Sequence, residues 1–179
     1  MAYGNYHTRN YKKQMDYHDK NILPVQKFFE AKGCTVRIPN TANSTQRRIH
    51  LFVRFPDGTE KSCSIKADRW IASSGNLYLE ETLHHKIGYG TITNELGWVM
   101  QTDADWVLYI DTITKKMYTF DWPQLKKFLK ENKHDSSLFQ HNLQESRFDR
   151  GTTVEVYIAK LDMLRAHGLV LSEDELDES

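Results

Sequence analysis

At 179 residues, with 39% hydrophobic and 12% aromatic side chains, the chain is long enough for one domain with a proper core and too short for two large ones. This composition excludes a disordered polymer, and no apolar run approaches the roughly 20 residues of a helical membrane span. Formal charge is zero, yet the last seven residues, EDELDES, hold five acidic groups, so a mildly basic body carries a short acidic tail. Such a body is compatible with nucleic acid without demanding it.

The N-terminus, MAYGNYHTRNYKKQ, lacks the apolar segment of a secretion signal. Cys34 and Cys63 therefore read as reduced thiols of a cytoplasmic protein, and without a CxxC or HxxxH cluster no zinc site is expected. Residues 1–10 read as a polar arm. From Tyr11 the spacing predicts helix, with Ile22, Val25, Phe28 and Phe29 on one apolar face, Pro24 early in a second helical piece and Gly33 as a left-handed cap. Cys34–Ile38 alternates as a short strand, and Pro39–Gln46 is a loop by composition.

Arg48–Phe55 and Glu60–Trp70 alternate on either side of the turn Pro56-Asp57-Gly58, which predicts a hairpin. A second turn, Ser73-Ser74-Gly75-Asn76, is expected to return the chain antiparallel along Leu77–Glu80. The period of two then puts Lys66 and Asp68 on one face, and Glu80 and Thr82 on one face, with Asp68 and Glu80 meeting at one spot. Residues 83–95, LHHKIGYGTITNE, read as an exposed loop, Leu96–Ala104 as a short helix and Trp106–Ile110 as an apolar strand.

After a polar turn at Thr112–Lys116, Lys116–Phe120 gives a strand. A helix follows, capped by Asp121 or Trp122, with Pro123 in its first position and Leu125, Phe128 and Leu129 facing inward. Lys133–Arg150 reads as a long surface segment, Thr152–Ile158 as a strand and Ala159–His167 as a closing helix capped by Gly168. The acidic residues at the end, 171–179, read as a frayed tail. The order of elements predicts an α/β (α+β) single domain with a mixed central β-sheet flanked by helices.

Asp68, the turn, GNLYLE with Glu80, and the run GWVMQTDADWVLYI together resemble the PD-(D/E)XK nuclease superfamily, in particular its small phage-encoded members. The resemblance spans Lys12 to Leu129 and implies a restriction-endonuclease-like core within residues 11–170. It also implies a metal-dependent endonuclease that hydrolyses DNA phosphodiester bonds. Asp68 and Glu80 would hold Mg2+ or Mn2+, with an additional first-helix acid at Asp19 or, less well spaced, Glu30. Thr82 stands where the family has its catalytic lysine and can donate only an uncharged hydrogen bond. Lys66 is the first candidate to replace that lysine and Lys86 the second.

The sequence leaves room for two other readings. One is a silent scaffold of the same fold that binds a protein partner or serves host takeover; the other is a structural or assembly protein of a virus particle. A homodimer is compatible with each, and a membrane partner with none. His84 and His85 could bind phosphate or shuttle protons, and the doublets Arg47-Arg48, Lys12-Lys13 and Lys126-Lys127 could meet a DNA backbone. Trp98, Trp106 and Trp122 read as core aromatics, while Asp103 and Asp105 read as turn or capping residues.

Overall fold

The structure is a computed structural model that describes residues 20–39, 48–87, 91–145 and 151–176. Its centre is the strand Trp106–Asp111 (β6), whose residues from Val107 onward are all buried. An apolar run of this kind suits a strand covered on both faces. Leu108 and Ile110 join one core cluster, and Val107 and Tyr109 join the other. That division follows the period of two directly.

Six strands make the main sheet, in the order β1 (Thr35–Arg37), β2 (Leu51–Arg54), β3 (Glu60–Asp68), β6, β7 (Lys116–Asp121), β10 (Val170–Glu175). All neighbours are antiparallel except β3 and β6, which run parallel, so the sheet is mixed. A second sheet of four antiparallel strands has the order β5 (Thr91–Leu96), β4 (Asn76–Ile87), β9 (Thr152–Lys160), β8 (Phe139–Glu145).

One face of the main sheet packs against α1 (20–31) through Val25, Phe29, Leu51, Val53, Cys63, Ile65 and Leu108. Gly33, at φ +79°, closes this helix as the sequence predicts. The opposite face meets the second sheet, together with α2 (Ile71–Ser74), α3 (Trp98–Gln101), α4 (Trp122–Asn132) and α5 (Leu161–Ala166). Asp121 caps α4 by accepting from the Gln124 N–H at 3.1 Å, with proline in the first turn. The chain is thus an α+β single domain with helices flanking a mixed sheet. Among the described residues no helix is long and apolar enough to cross a membrane.

Four local expectations are corrected. Leu77–Glu80 does not return alongside β3; α2 intervenes, and β4 belongs to the other sheet. The expected loop at 83–95 is largely β4 and β5, and the expected surface segment after Lys133 contains β8. These strands have partly solvated faces, so their composition mimics loop. The expected acidic tail begins as β10, paired to β7. Arg165 there grips Glu173, Lys32 Nζ reaches Asp174 at 2.8 Å, and Leu176 is buried. An edge strand tolerates charge that a central strand would not. The arm at 1–10 and the end of the tail at 177–179 lie outside the described residues.

Candidate active site

Alternation places Ser64, Lys66 and Asp68 on the face of β3 turned away from α1, since Cys63 and Ile65 pack toward that helix. Parallel pairing sets Lys66 opposite Tyr109 and Asp68 opposite Asp111. Asp68 is held firmly. Its Oδ2 accepts from the buried Tyr109 hydroxyl at 2.9 Å, its Oδ1 from the Trp70 N–H at 2.7 Å, and its carbonyl from the Thr112 N–H at 2.8 Å. The neighbouring Asp111 is spent on its own turn, accepting from the Ile113 N–H at 2.8 Å and the Thr114 hydroxyl at 2.7 Å.

Glu80, on β4 of the second sheet, bears on the same residues by its charge. Burial pushes the Lys66 ammonium below the usual lysine range; the Glu80 and Asp68 charges oppose that shift and Arg48 adds to it. The ammonium lies 4.8 Å from the centre of the Trp98 ring, which stacks on Trp122 with centroids 5.0 Å apart. Tyr109 feels the same surroundings from the other side. Burial, then the charge and hydrogen bond of Asp68, then Glu80, raise its phenol well above the ordinary value. Next along β3, the Ile65 N–H donates to His50 Nδ1 at 2.8 Å, which leaves the proton of the neutral ring on Nε2.

A β-bulge in β4 follows Glu80. Glu80 stands opposite Val156 and Thr82 opposite Glu155, so two steps on β4 match one step on β9 and Glu81 is the extra residue. Glu81 is buried, and both its oxygens accept from Lys133 Nζ at 2.9 Å. Gly97 fixes the bulge from outside. Its N–H donates to the Glu81 carbonyl at 2.6 Å, and a Cβ there would lie 2.2 Å from the Glu80 carbonyl oxygen. Only glycine permits that approach.

Lys66 and Asp68 therefore share one face of β3, and Glu80 bears on Lys66 and Tyr109 by its charge from the second sheet, not across the expected hairpin. Thr82 is not brought with them, because the bulge resets the alternation and puts it on the opposite face of the sheet from Glu80. Lys86 lies six residues along β4 from Glu80, about 20 Å away at the rise of a strand. Glu30 is exposed on α1, on the far side of the main sheet, and Asp19 lies outside the described residues. Trp98 and Trp122 are core residues as expected, and Asp105 caps Ser62, accepting from its N–H at 2.8 Å and its hydroxyl at 2.7 Å.

His84 and His85 belong to a separate polar cluster at the open end of the second sheet. His84 Nε2 lies 3.7 Å from Glu155 Oε2, and His141 Nε2 lies 3.0 Å from Glu155 Oε1. His85 meets Thr152 Oγ1 at 2.9 Å. Of the basic doublets, Arg48 donates to Gln101 Oε1 at 2.6 Å and Lys126 to the Thr102 carbonyl at 2.9 Å. Lys12, Lys13 and Arg47 lie outside the described residues.

Tyr109 and Gly97 escaped the sequence reading, and Arg48, expected only in a basic doublet, acts on Lys66. Tyr109 sits inside the apolar run WVLYI, and only the parallel register, which the sequence does not specify, sets it opposite Lys66.

Among the described residues no group of three His, Cys, Asp or Glu side chains could hold a metal ion. The donors at the site are two carboxylates, and each Asp68 oxygen keeps a lone pair beyond the hydrogen bond it accepts. This set fits magnesium, which takes one or two protein carboxylates and completes its shell with water and phosphate; it does not fit a caged ion. No family model and no curated protein matches the sequence. Among solved structures the chain is similar to that of a bacterial homing endonuclease. The TM-score is 0.46 and the identity 13%, over 62% of this chain and 70% of the other.

Proposed function

We propose that this protein is a divalent-metal-dependent nuclease that hydrolyses phosphodiester bonds in DNA, phage-encoded and acting in the host cytoplasm. What supports the reading is Asp68, held by Tyr109 and the Trp70 N–H two residues from Lys66, with the charge of Glu80 bearing on Lys66 and Tyr109 from the second sheet. Asp68 and Glu80 would hold Mg2+ or Mn2+, which supplies Lewis acidity to the phosphate and a reactive water. Lys66 places a positive charge beside the oxygens on which charge develops, where low dielectric strengthens its effect. Tyr109 and the Trp70 N–H fix the Asp68 carboxylate before substrate arrives. Thr82 has no part in this arrangement.

The test is cleavage of plasmid and oligonucleotide DNA with magnesium or manganese, comparing wild type with Asp68→Ala and Glu80→Ala. Metal-dependent cutting abolished by both substitutions, in variants that keep their circular dichroism, supports the reading. Absence of cutting on every substrate removes it.

One observation favours a second reading, the silent scaffold. A buried ammonium flanked by two carboxylates is already charge-compensated, and such a cluster can serve the fold alone. On that reading, substitutions at Lys66, Asp68 and Glu80 lower the melting temperature and change no activity.

A further inference from the structure

Trp70 differs from the tryptophans of the core. Trp98 and Trp122 are 4% and 0% exposed, whereas Trp70 is 52% exposed, with the Arg69 guanidinium 4.7 Å from its ring centre. Its backbone N–H holds Asp68 Oδ1 at 2.7 Å, so the ring stands two residues from a carboxylate of the candidate site. On the other side of Asp68, the loop whose Thr112 N–H binds the Asp68 carbonyl presents Ile113, 68% exposed. Two apolar side chains thus flank the one strand end where phosphodiester chemistry is proposed. Cationic Arg69 stands at the ring, and Arg48 acts on Lys66 of the same strand as Asp68.

A half-exposed indole keeps its hydrophobic area in water unless a partner covers it. The Arg69 guanidinium at the ring can meet a phosphate, and the flat ring suits another flat ring. Bases of an intact duplex are stacked on their neighbours and offer no face; an unpaired base does, and base-on-aromatic stacking is tolerant of sequence. We infer that Trp70 is a stacking platform for an unpaired nucleobase next to the scissile phosphate, so that the preferred substrate carries a single-stranded or displaced segment. This rests on the nuclease reading and narrows it to a substrate class.

The experiment measures fluorescence anisotropy of labelled oligothymidine and of a duplex of the same length, in EDTA so that nothing is cut. Wild type, Trp70→Ala and Trp70→Phe are compared, alongside the cleavage assay with Asp68→Ala. Expected is a loss of about tenfold or more in single-strand affinity for Trp70→Ala. Trp70→Phe should recover most of it, and duplex binding should change by less than about twofold in either variant. Single-strand affinity unchanged in Trp70→Ala, or an equal loss on both substrates, overturns the inference. If wild type still cuts and Asp68→Ala does not, that overturning leaves the nuclease reading intact. Wild type that neither binds nor cuts any nucleic acid overturns both, and a protein partner then becomes the occupant to seek for Trp70.

Discussion

Two clusters of opposite charges lie on the second sheet and its contacts, and they behave differently. At one end the charges of Glu80 and Asp68 bear on Lys66; at the other, Glu155 sits between His84 and His141 in an open face. In the first, burial is the leading influence on the cation and works against its charge. In the second, burial raises the Glu155 carboxyl, but hydrogen bonds from His141 and Tyr157 and the charges of His141 and Lys133 outweigh it and leave the group below its usual range. Desolvation thus opposes charge in both places; the inner cluster keeps its ammonium displaced, whereas hydrogen bonding wins in the outer one. Displaced, preorganised charge suits catalysis, and a well-satisfied cluster suits stability.

The comparison breaks most visibly at Lys66. Lys66→Met should lower cleavage by about 10²–10³-fold if the ammonium acts on developing charge, while His84→Ala and His141→Ala leave cleavage within about twofold. A loss of cutting in the histidine variants as large as that in Lys66→Met would erase the distinction. Next in size is Gly97→Ala, whose methyl group must displace the Glu80–Glu81 backbone. Overpacking of this kind costs about 1–3 kcal/mol, read from urea denaturation. Cleavage should fall further than the unfolded fraction explains, because the added methyl group presses on the Glu80 backbone itself.

Tyr109→Phe removes only the donor to Asp68 Oδ2. A hydrogen bond to a charged group contributes about 1.5–3 kcal/mol. The variant should also need more magnesium for half-maximal cutting, whereas a purely structural tyrosine would leave that dependence unmoved.

The smallest effects concern pH. The Glu155 carboxyl is depressed in the folded state, so its stabilisation is present above the ordinary glutamate value and is lost as pH falls through the folded one. Glu155→Gln should flatten that acid-side loss in a denaturation series. Lys66 is also lowered, but from the lysine range, so between its folded and ordinary values the unfolded chain binds more protons and stability rises with pH. Lys66→Met should remove that alkaline rise and leave the acid limb untouched.

Strand period put Lys66 and Asp68 on one face, the family resemblance singled them out with Glu80, and caps and turns were enough to end α1 at Gly33 and open α4 at Asp121. The placement of Glu80 on the second sheet was not legible. Alternation in Leu77–Glu80 reports a half-buried strand without saying which sheet it joins, and the parallel β3–β6 register leaves no local mark. Thr82 was misplaced for a related reason, since a single extra residue at Glu81 inverts every later side chain and no turn residue announces it. The segments 83–95 and 171–175 were missed because edge and partly solvated strands carry the polarity of loops.

The parallel pairing of β3 with β6 also bears on the order in which the chain can fold. Ser62 and Asp105, 43 positions apart, are bonded across it, and all of α2, β4, β5 and α3 intervene. A chain emerging from the ribosome can form the β2–β3 hairpin at once, but β3 then presents an unpaired inner edge until β6 has been made. The entropy of closing so long a crossover is met before any contact rewards it. Docking of β6 completes the wall that holds Tyr109 against Asp68.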